Sequence, residues 1–110
     1  MKILIERLEF KTIIGLLDFE RINEQRVIID CTITYNYSED FINYAEVAQS
    51  IESNMKEKKF LLIEEALAFL FPHLKDTYPL IETLQLKISK PDILSNCIVS
   101  LEDFQNFSQT

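Results

Sequence analysis

One predicted β-strand ends in a lysine that is placed for chemistry. Leu84, Leu86 and Ile88 alternate with polar residues, and Lys90 falls on the same parity as these three apolar residues. Its side chain therefore points toward the core, and Pro91 stops regular strand pairing just beyond it. A lysine held in this way could transfer a proton. The alternative is a lysine whose ammonium reaches water at a frayed strand end.

Two acids and a tyrosine could act with this lysine, although each is weakly specific by itself. Glu20 follows Gly15, the single glycine of the chain. Glu64 lies in the first turn of a predicted helix, where unpaired backbone N–H groups and the helix dipole favour a carboxylate. Tyr44 begins another predicted helix. Their plain alternatives are a solvent-exposed loop acid, a charge at a helix start and hydrophobic packing.

Composition excludes several other functional classes. The 110 residues carry a formal charge of −7 without a cluster of Lys or Arg, which argues against nucleic-acid and anionic-membrane partners. One glycine cannot build a phosphate-binding loop, and one histidine with two separated cysteines gives no zinc set. We therefore expect neither a metal nor a cofactor.

The chain reads as a cytoplasmic protein. Its apolar start, residues 1–5, meets Glu6 and Arg7 too early for a signal peptide, and no apolar run approaches the length of a membrane span. Cys31 and Cys97 both lie on apolar strand parities, which predicts two buried, reduced thiols.

The periodicity predicts a single α+β domain over residues 1–110. A strand is clearest at residues 8–12 and ends at Gly15, and the segment containing Glu20 connects it to a long strand at residues 27–37. Asn43 caps a helix in a capping-box-like pattern with Glu46. The buried stripe of that helix is Tyr44, Val47, Ala48, Ile51 and Met55.

A second helix and two strands complete the order β-β-α-α-β-β. The helix buries a stripe from Ile63 to Leu74, Pro72 should kink or end it, and His73 should lie at its end. The strand that ends at Lys90 follows, then one at residues 96–102, and we expect the tail from about 103 to be frayed. The helices should cover one face of a four-stranded antiparallel sheet. Its two open edges favour growth into a ring by edge pairing between subunits.

Four segments together resemble bacterial dihydroneopterin aldolase. They are residues 12–20 (TIIGLLDFE), 43–46 (NYAE), 60–64 (FLLIE) and 88–91 (ISKP), and the resemblance runs from residue 1 to about 102. It implies the tunnelling fold, in which subunits join their sheets into rings of four, often stacked as an octamer, with the polar face of the second strand lining the tunnel. It also implies pockets between neighbouring subunits.

The resemblance implies cleavage of dihydroneopterin to hydroxymethyldihydropterin and glycolaldehyde in folate synthesis. Family members use neither metal nor Schiff base, and they often also epimerise the side chain. Glu64 would anchor the pterin with help from the backbone at Leu62 and Ile63. Lys90 would act through a water as general acid and base. Glu20 would bind the substrate side chain, and Tyr44 would hand a proton to the enol carbon after cleavage.

The chain departs from the family pattern near the expected pocket rim. The loop at residues 38–43 and the turn at residues 91–96 are short, and Ile98 stands where a glycine is usual. Two alternatives stay open. One is an epimerase of dihydroneopterin triphosphate, which should need more basic residues for the phosphates. The other is a non-catalytic ring-forming scaffold, which would not need Glu20, Tyr44, Glu64 and Lys90.

Overall fold

The protein folds as a four-stranded antiparallel sheet with two long helices. A computed structural model describes residues 1–38 and 40–108. The elements are β1 (Lys2–Thr12), α1 (Asp18–Ile22), β2 (Gln25–Tyr35), α2 (Tyr44–Lys58), α3 (Ile63–Thr77), β3 (Ile81–Lys90) and β4 (Val99–Asn106). Neighbouring strands pair in the order β1-β2-β3-β4, so β1 and β4 are the edges. The predicted α+β class and element order are confirmed.

The core lies between one face of the sheet and the helices. Strand β2 alternates strictly, and its inward residues are buried: Val27, Ile29, Cys31, Ile33 and Tyr35. The two helices bury Val47, Ile51 and Met55 from α2, and Ile63, Ala66, Leu67, Leu70 and Leu74 from α3. Because these helical residues recur at spacings of three and four, each helix presents one apolar stripe to the sheet.

Helix α2 has the predicted start and a clear stop. The Asn43 side chain accepts hydrogen bonds from the backbone N–H groups of Ala45 (3.0 Å) and Glu46 (3.4 Å), which satisfies two donors of the first turn. At the other end Lys59 is left-handed with φ 48°, and its N–H bonds to the Met55 carbonyl. The chain then turns directly into α3.

Helix α3 does not end at Pro72, and the predicted position of His73 was wrong. The helix continues through Pro72 to Thr77, and His73 lies inside it rather than at its end. Buried residues on both sides of the proline, such as Leu70 and Leu74, hold the helix against the core. The Nε2 atom of His73 lies 3.3 Å from both Ser50 Oγ and Asn54 Nδ2 of α2.

The predicted frayed tail is also wrong over the residues that the structure describes. Strand β4 pairs with β3 as far as Asn106 opposite Thr83. The Phe107 N–H then donates to the Glu82 carbonyl over 2.7 Å, and its side chain packs against the core. Residues 109 and 110 of the predicted tail, and Glu39 of the predicted short loop, lie outside the described residues.

One of the two cysteines is not buried. Strand β4 begins at Val99 instead of Asn96, so Cys97 lies in the preceding loop and is exposed. Cys31 is buried as predicted, and burial raises the pKa of its thiol to about 12. Tyr37, predicted on the apolar face of the second strand, lies beyond the end of β2 and is also exposed.

The segment around Glu20 is helical and was predicted as an open connection. Residues 18–22 form the short helix α1, and its N-cap residue is Leu17.

Within the described part of the chain, no helix combines the length and the apolar character that a membrane span requires.

Candidate active site

Lys90 and Glu20 form a buried ion pair. The Lys90 ammonium donates to Glu20 Oε2 over 2.9 Å, although 70 positions separate the two residues in sequence. Lys90 is 9% exposed and Glu20 is 3% exposed. The prediction that Lys90 points inward is confirmed, and the idea of an exposed loop acid at position 20 is wrong. Burying two charges is costly unless they are paired, so this pair fixes both side chains.

Two further groups hold the Glu20 carboxylate. Gln25 Nε2 donates to Glu20 Oε2 over 2.7 Å and to the Ile14 carbonyl over 2.8 Å. The backbone N–H of Leu17 donates to Glu20 Oε1 over 3.2 Å. Gln25 was missed in the sequence, but it shares the inward parity of β2 with Val27, the same signal that singled out Lys90.

Gly15 leaves room for the Glu20 carboxylate. Its φ is +127°, and a Cβ atom there would overlap the carboxylate of Glu20. Both properties favour glycine, because a side chain would be strained and would collide. The expectation that the single glycine of the chain supplies an unusual backbone angle or a close approach is confirmed on both counts.

The surroundings keep Glu20 ionised. Burial raises the pKa of its carboxyl, but hydrogen bonds from Lys90, Gln25 and the Leu17 N–H, together with the Lys90 charge, lower it further than burial raises it. The net pKa lies below its ordinary value of 4.5. At neutral pH Glu20 is therefore a carboxylate, and it accepts the hydrogen bond from Lys90 Nζ in this form.

A cavity of about 310 Å³ connects this pair to the start of α3. We call it the Lys90 cavity. Its walls carry the charged residues Glu20, Glu64 and Lys90 among apolar side chains, namely Leu16, Leu61, Leu62, Ile63, Ile93, Leu94, Val99 and Leu101. The structure thus brings together five of the six predicted site residues.

The two ends of the Lys90 cavity differ in chemistry. At one end the Lys90–Glu20 pair is shielded from water, whereas Glu64 at the other end is exposed. The first-turn N–H groups of Ile63 and Glu64 have no partner within α3, as at any helix start. The Leu62 N–H is already used, because it donates to Glu65 Oε1 over 3.0 Å. The Glu64 end therefore offers a carboxylate and free amides to a planar, polar ligand.

Tyr44 lies in a different cavity. This Tyr44 cavity has a volume of about 660 Å³ and is lined by the start of β1, the end of β2, the loop before α2 and the start of α2, including Lys2, Tyr35 and Phe41. Tyr44 is 65% exposed, so its packing into the buried stripe of α2 was wrongly predicted.

Lys90 and Tyr44 lie at opposite ends of the sheet. Ser89, next to Lys90, pairs with Ile28, whereas Tyr35 of the Tyr44 cavity is seven positions further along β2. At 3.3 Å per residue these ends are about 20 Å apart. One chain therefore does not bring Tyr44 to Lys90.

Similarity to known proteins identifies the family. The family model described as dihydroneopterin aldolase matches residues 3–102. This chain belongs to the dihydroneopterin aldolase family. A dihydroneopterin aldolase of Haemophilus influenzae is 32% identical over 98 residues, which cover 82% of each chain.

A second sequence relative and a solved structure are also similar to this chain. A dihydroneopterin triphosphate 2'-epimerase of Pseudomonas aeruginosa is 26% identical over 101 residues, 84% of this chain and 81% of the epimerase. The crystal structure of Escherichia coli dihydroneopterin aldolase in complex with neopterin superposes with a TM-score of 0.86 at 22% identity and covers 96% of this chain and 99% of that one. The subunit fold predicted from the family resemblance is confirmed, and the ring assembly stays a prediction.

Proposed function

We propose that this chain is a dihydroneopterin aldolase, which cleaves dihydroneopterin into hydroxymethyldihydropterin and glycolaldehyde. The observation that carries the proposal is the buried Lys90–Glu20 pair, which faces Glu64 across one cavity in a chain of this family. Folate synthesis is the pathway that this activity serves.

The reaction requires no electron-accepting group from the protein. When the carbon–carbon bond of the substrate side chain breaks, the adjacent C=N of the pterin ring can accept the electron pair. The protein then has to orient the pterin, move protons and stabilise shifting charge. A general acid and base at one end of a cavity and a pterin anchor at the other are sufficient for this chemistry.

Glu20 is suited to hold both Lys90 and a hydroxyl of the substrate side chain. An ionised carboxylate offers about four acceptor positions. Lys90, Gln25 and the Leu17 N–H occupy three of them. The position that remains can accept a hydrogen bond from the substrate without displacing Lys90.

Lys90 is suited to serve the reacting end. An ammonium has three N–H donors, and one of them bonds to Glu20. The other two are available to a water or a substrate hydroxyl. To act as a base, Lys90 first has to give a proton to water or to the substrate, and it takes a proton back in the step in which it acts as the base.

Glu64 is suited to anchor the pterin. Its carboxylate can accept two parallel N–H bonds from the amino group and a ring N–H of the pterin. The free first-turn amides of Ile63 and Glu64 can meet pterin acceptors, and the side chains of Leu61 and Leu62 can cover the ring. The sequence also assigned the backbone of Leu62 to this role, but its N–H is taken by Glu65.

Tyr44 is suited to act on the substrate from a neighbouring subunit. Its cavity and Lys90 lie at opposite ends of the sheet, about 20 Å apart along the strands, and the two cavities open on opposite sheet edges. Val99 and Leu101 of β4 line the Lys90 cavity, whereas residues 2–5 of β1 line the Tyr44 cavity. Pairing the β4 edge of one chain with the β1 edge of the next closes a ring and gives each site both groups.

The ring that we propose has four subunits, and stacking of two rings gives a homo-octamer. Apolar side chains exposed around the Tyr44 cavity support burial in an assembly: Met1, Leu4, Tyr37 and Phe41. The cytoplasmic location expected from the sequence stays a prediction.

The charge of the Lys90 cavity disfavours the epimerase of the triphosphate substrate. It has two carboxylates and one ammonium, and the ammonium is already paired. The adjoining groove between α3 and β4 adds Glu102 and Asp103. The Tyr44 cavity adds Lys2. One further lysine supplies little positive charge to balance a triphosphate in a chain with a net charge of −7. We therefore place the aldolase first.

The deciding experiment is incubation of the purified protein with dihydroneopterin and an assay for glycolaldehyde. We expect release of glycolaldehyde, unchanged in EDTA, and a far lower rate of epimerisation on dihydroneopterin triphosphate. Preference for the triphosphate would assign the epimerase instead. No measurable activity on either substrate at high enzyme concentration would favour a ring-forming scaffold. Loss of activity in EDTA that Zn²⁺ restores would overturn the metal-free chemistry.

A further inference from the structure

The guanidinium of Arg21 joins two segments that carry the site. Its Nη1 donates to the carbonyl oxygens of Gly15 and Phe60, each over 3.2 Å, and its Nη2 donates to the carbonyl of Lys59 over 3.0 Å. The Gly15 N–H adds a direct bond to the Phe60 carbonyl over 3.1 Å. These four hydrogen bonds tie the loop before α1 to the connection between α2 and α3.

The position of this clamp suits an arginine. Lys59 ends helix α2 in a left-handed conformation, so the carbonyls around it lack partners within the helix and carry the negative end of its dipole. A planar guanidinium with five donors in a fixed fork can bridge several carbonyls at once. A lysine ammonium at this site would have no such fork.

Each clamped segment leads directly to one end of the Lys90 cavity. Glu20, the neighbour of Arg21 in α1, pairs with Lys90 at the reacting end. Phe60 is followed by Leu61–Glu64, which lines the other end. Glu20 and Arg21 are therefore adjacent in α1 but serve different ends of the cavity. The Glu20 carboxylate contacts Lys90, and the Arg21 guanidinium holds the segment that leads to Glu64.

We infer that Arg21 is a positioning residue, which sets the distance between the Lys90–Glu20 pair and the pterin-binding segment Leu62–Glu64. Arg21 does not line the Lys90 cavity, and it acts through the backbone of Gly15, Lys59 and Phe60. Misplacing one half of a site by about 1 Å can lower a rate on the order of 10²-fold. Loss of the clamp should therefore affect turnover more than binding at either end alone.

The test compares Arg21→Gln and Arg21→Lys with Lys58→Gln. Lys58 lies in the last turn of α2, stacks on Phe69 at 4.7 Å from the ring centre and takes no part in the clamp. Its substitution removes one positive charge from the same helix end. Three quantities are measured: kcat for dihydroneopterin, the Kd for pterin without a side chain, and the free energy of unfolding in urea.

We expect Arg21→Gln to lower kcat at least tenfold and to change the pterin Kd less than threefold, because pterin needs only the Glu64 end. Arg21→Lys should recover part of kcat, and Lys58→Gln should keep wild-type kcat. An unchanged kcat in folded Arg21→Gln, or parallel loss of kcat and pterin binding, would overturn the inference.

The activity readout rests on the proposed function, so a second readout separates the two. Hydrogen–deuterium exchange of peptides covering residues 13–17 reports the Gly15 N–H bond to Phe60. It should rise in Arg21→Gln and not in Lys58→Gln, whether or not the wild type is active. An inactive wild type with this local increase refutes the proposed function and leaves the clamp standing. Unchanged exchange refutes the clamp.

Discussion

The carboxylate of Glu20 occupies the space that a side chain at residue 15 would need. Gly15 has φ +127° in the loop before α1, and a Cβ atom there would overlap the Glu20 carboxylate. The same carboxylate accepts hydrogen bonds from Lys90, Gln25 and Leu17. The position of the reacting lysine therefore depends on the absence of one methyl group.

Gly15→Ala should lower both stability and activity. A positive φ strains alanine, and the methyl group pushes Glu20 from Lys90, so we expect a loss of roughly 1–3 kcal/mol in the free energy of unfolding. Urea unfolding and the glycolaldehyde assay measure the two effects. In a Glu20→Ala background the collision disappears, and the cost of Gly15→Ala should shrink to the backbone strain alone. An equal cost in both backgrounds would contradict the collision.

Stability should depend on pH through Glu20. Because its pKa in the folded protein lies below the ordinary value of 4.5, the ion pair stabilises the fold at neutral pH and loses this contribution as the pH falls below about 4.5. Glu20→Gln should be less stable than wild type at pH 7, and the difference should shrink toward acid. Urea unfolding from pH 7 to pH 3 tests this. A constant difference across that range would mean that the ion pair adds nothing.

Glu64→Gln and Lys90→Met should separate binding from turnover. In Glu64→Gln the new side-chain amide would turn its N–H₂ toward the pterin's own donors, which weakens pterin binding by roughly 1–3 kcal/mol. Lys90→Met should keep binding and lower kcat by a factor on the order of 10² to 10⁴, the usual worth of a proton-transfer group. Calorimetric titration with neopterin and steady-state kinetics measure both. If the two variants exchange these effects, the roles are reversed.

Tyr44→Phe should separate the two products in time. If Tyr44 protonates carbon only after the bond has broken, a single turnover still releases glycolaldehyde, and hydroxymethyldihydropterin lags behind it. Rapid-quench analysis of both products at excess enzyme measures the delay. Equal slowing of both products would remove Tyr44 from this step.

The sequence predicts those site residues that lie on strands with a clear alternation of apolar and polar residues. Lys90 was found because an inward parity is visible in β3, and the same parity in β2 marks Gln25, which was overlooked. The helix α1 has five residues, too few for a periodic signal. The clamp of Arg21 on three distant carbonyls depends on the finished fold and leaves no local pattern.

The end of the chain shows a second limit of periodicity. Residues 102–106 of β4 are exposed on both faces of an edge strand, so no alternation of apolar and polar residues marks them as a strand. Backbone pairing with β3, from Lys87 opposite Glu102 to Thr83 opposite Asn106, holds them instead. Backbone hydrogen bonds need no particular side chain, which is why the sequence was taken for a frayed tail.

The division of site residues between two cavities leads to the last prediction. Lys90→Met and Tyr44→Phe, each poorly active, should recover activity when they are unfolded, mixed in equal amounts and refolded together. If each site takes Lys90 from one chain and Tyr44 from the next, random assembly leaves about a quarter of the sites with both residues intact. The mixture should then show about a quarter of wild-type activity.

A matched mixture shows whether this recovery comes from shared sites. Lys90 and Glu64 line one cavity of the same chain, so mixing Lys90→Met with Glu64→Gln repairs no site and should restore nothing at low substrate. Size-exclusion chromatography establishes that each mixture assembles like the wild type. A Lys90→Met and Tyr44→Phe mixture that reaches wild-type size and stays as inactive as its parents would refute the shared site, because every complete pocket would then come from one chain.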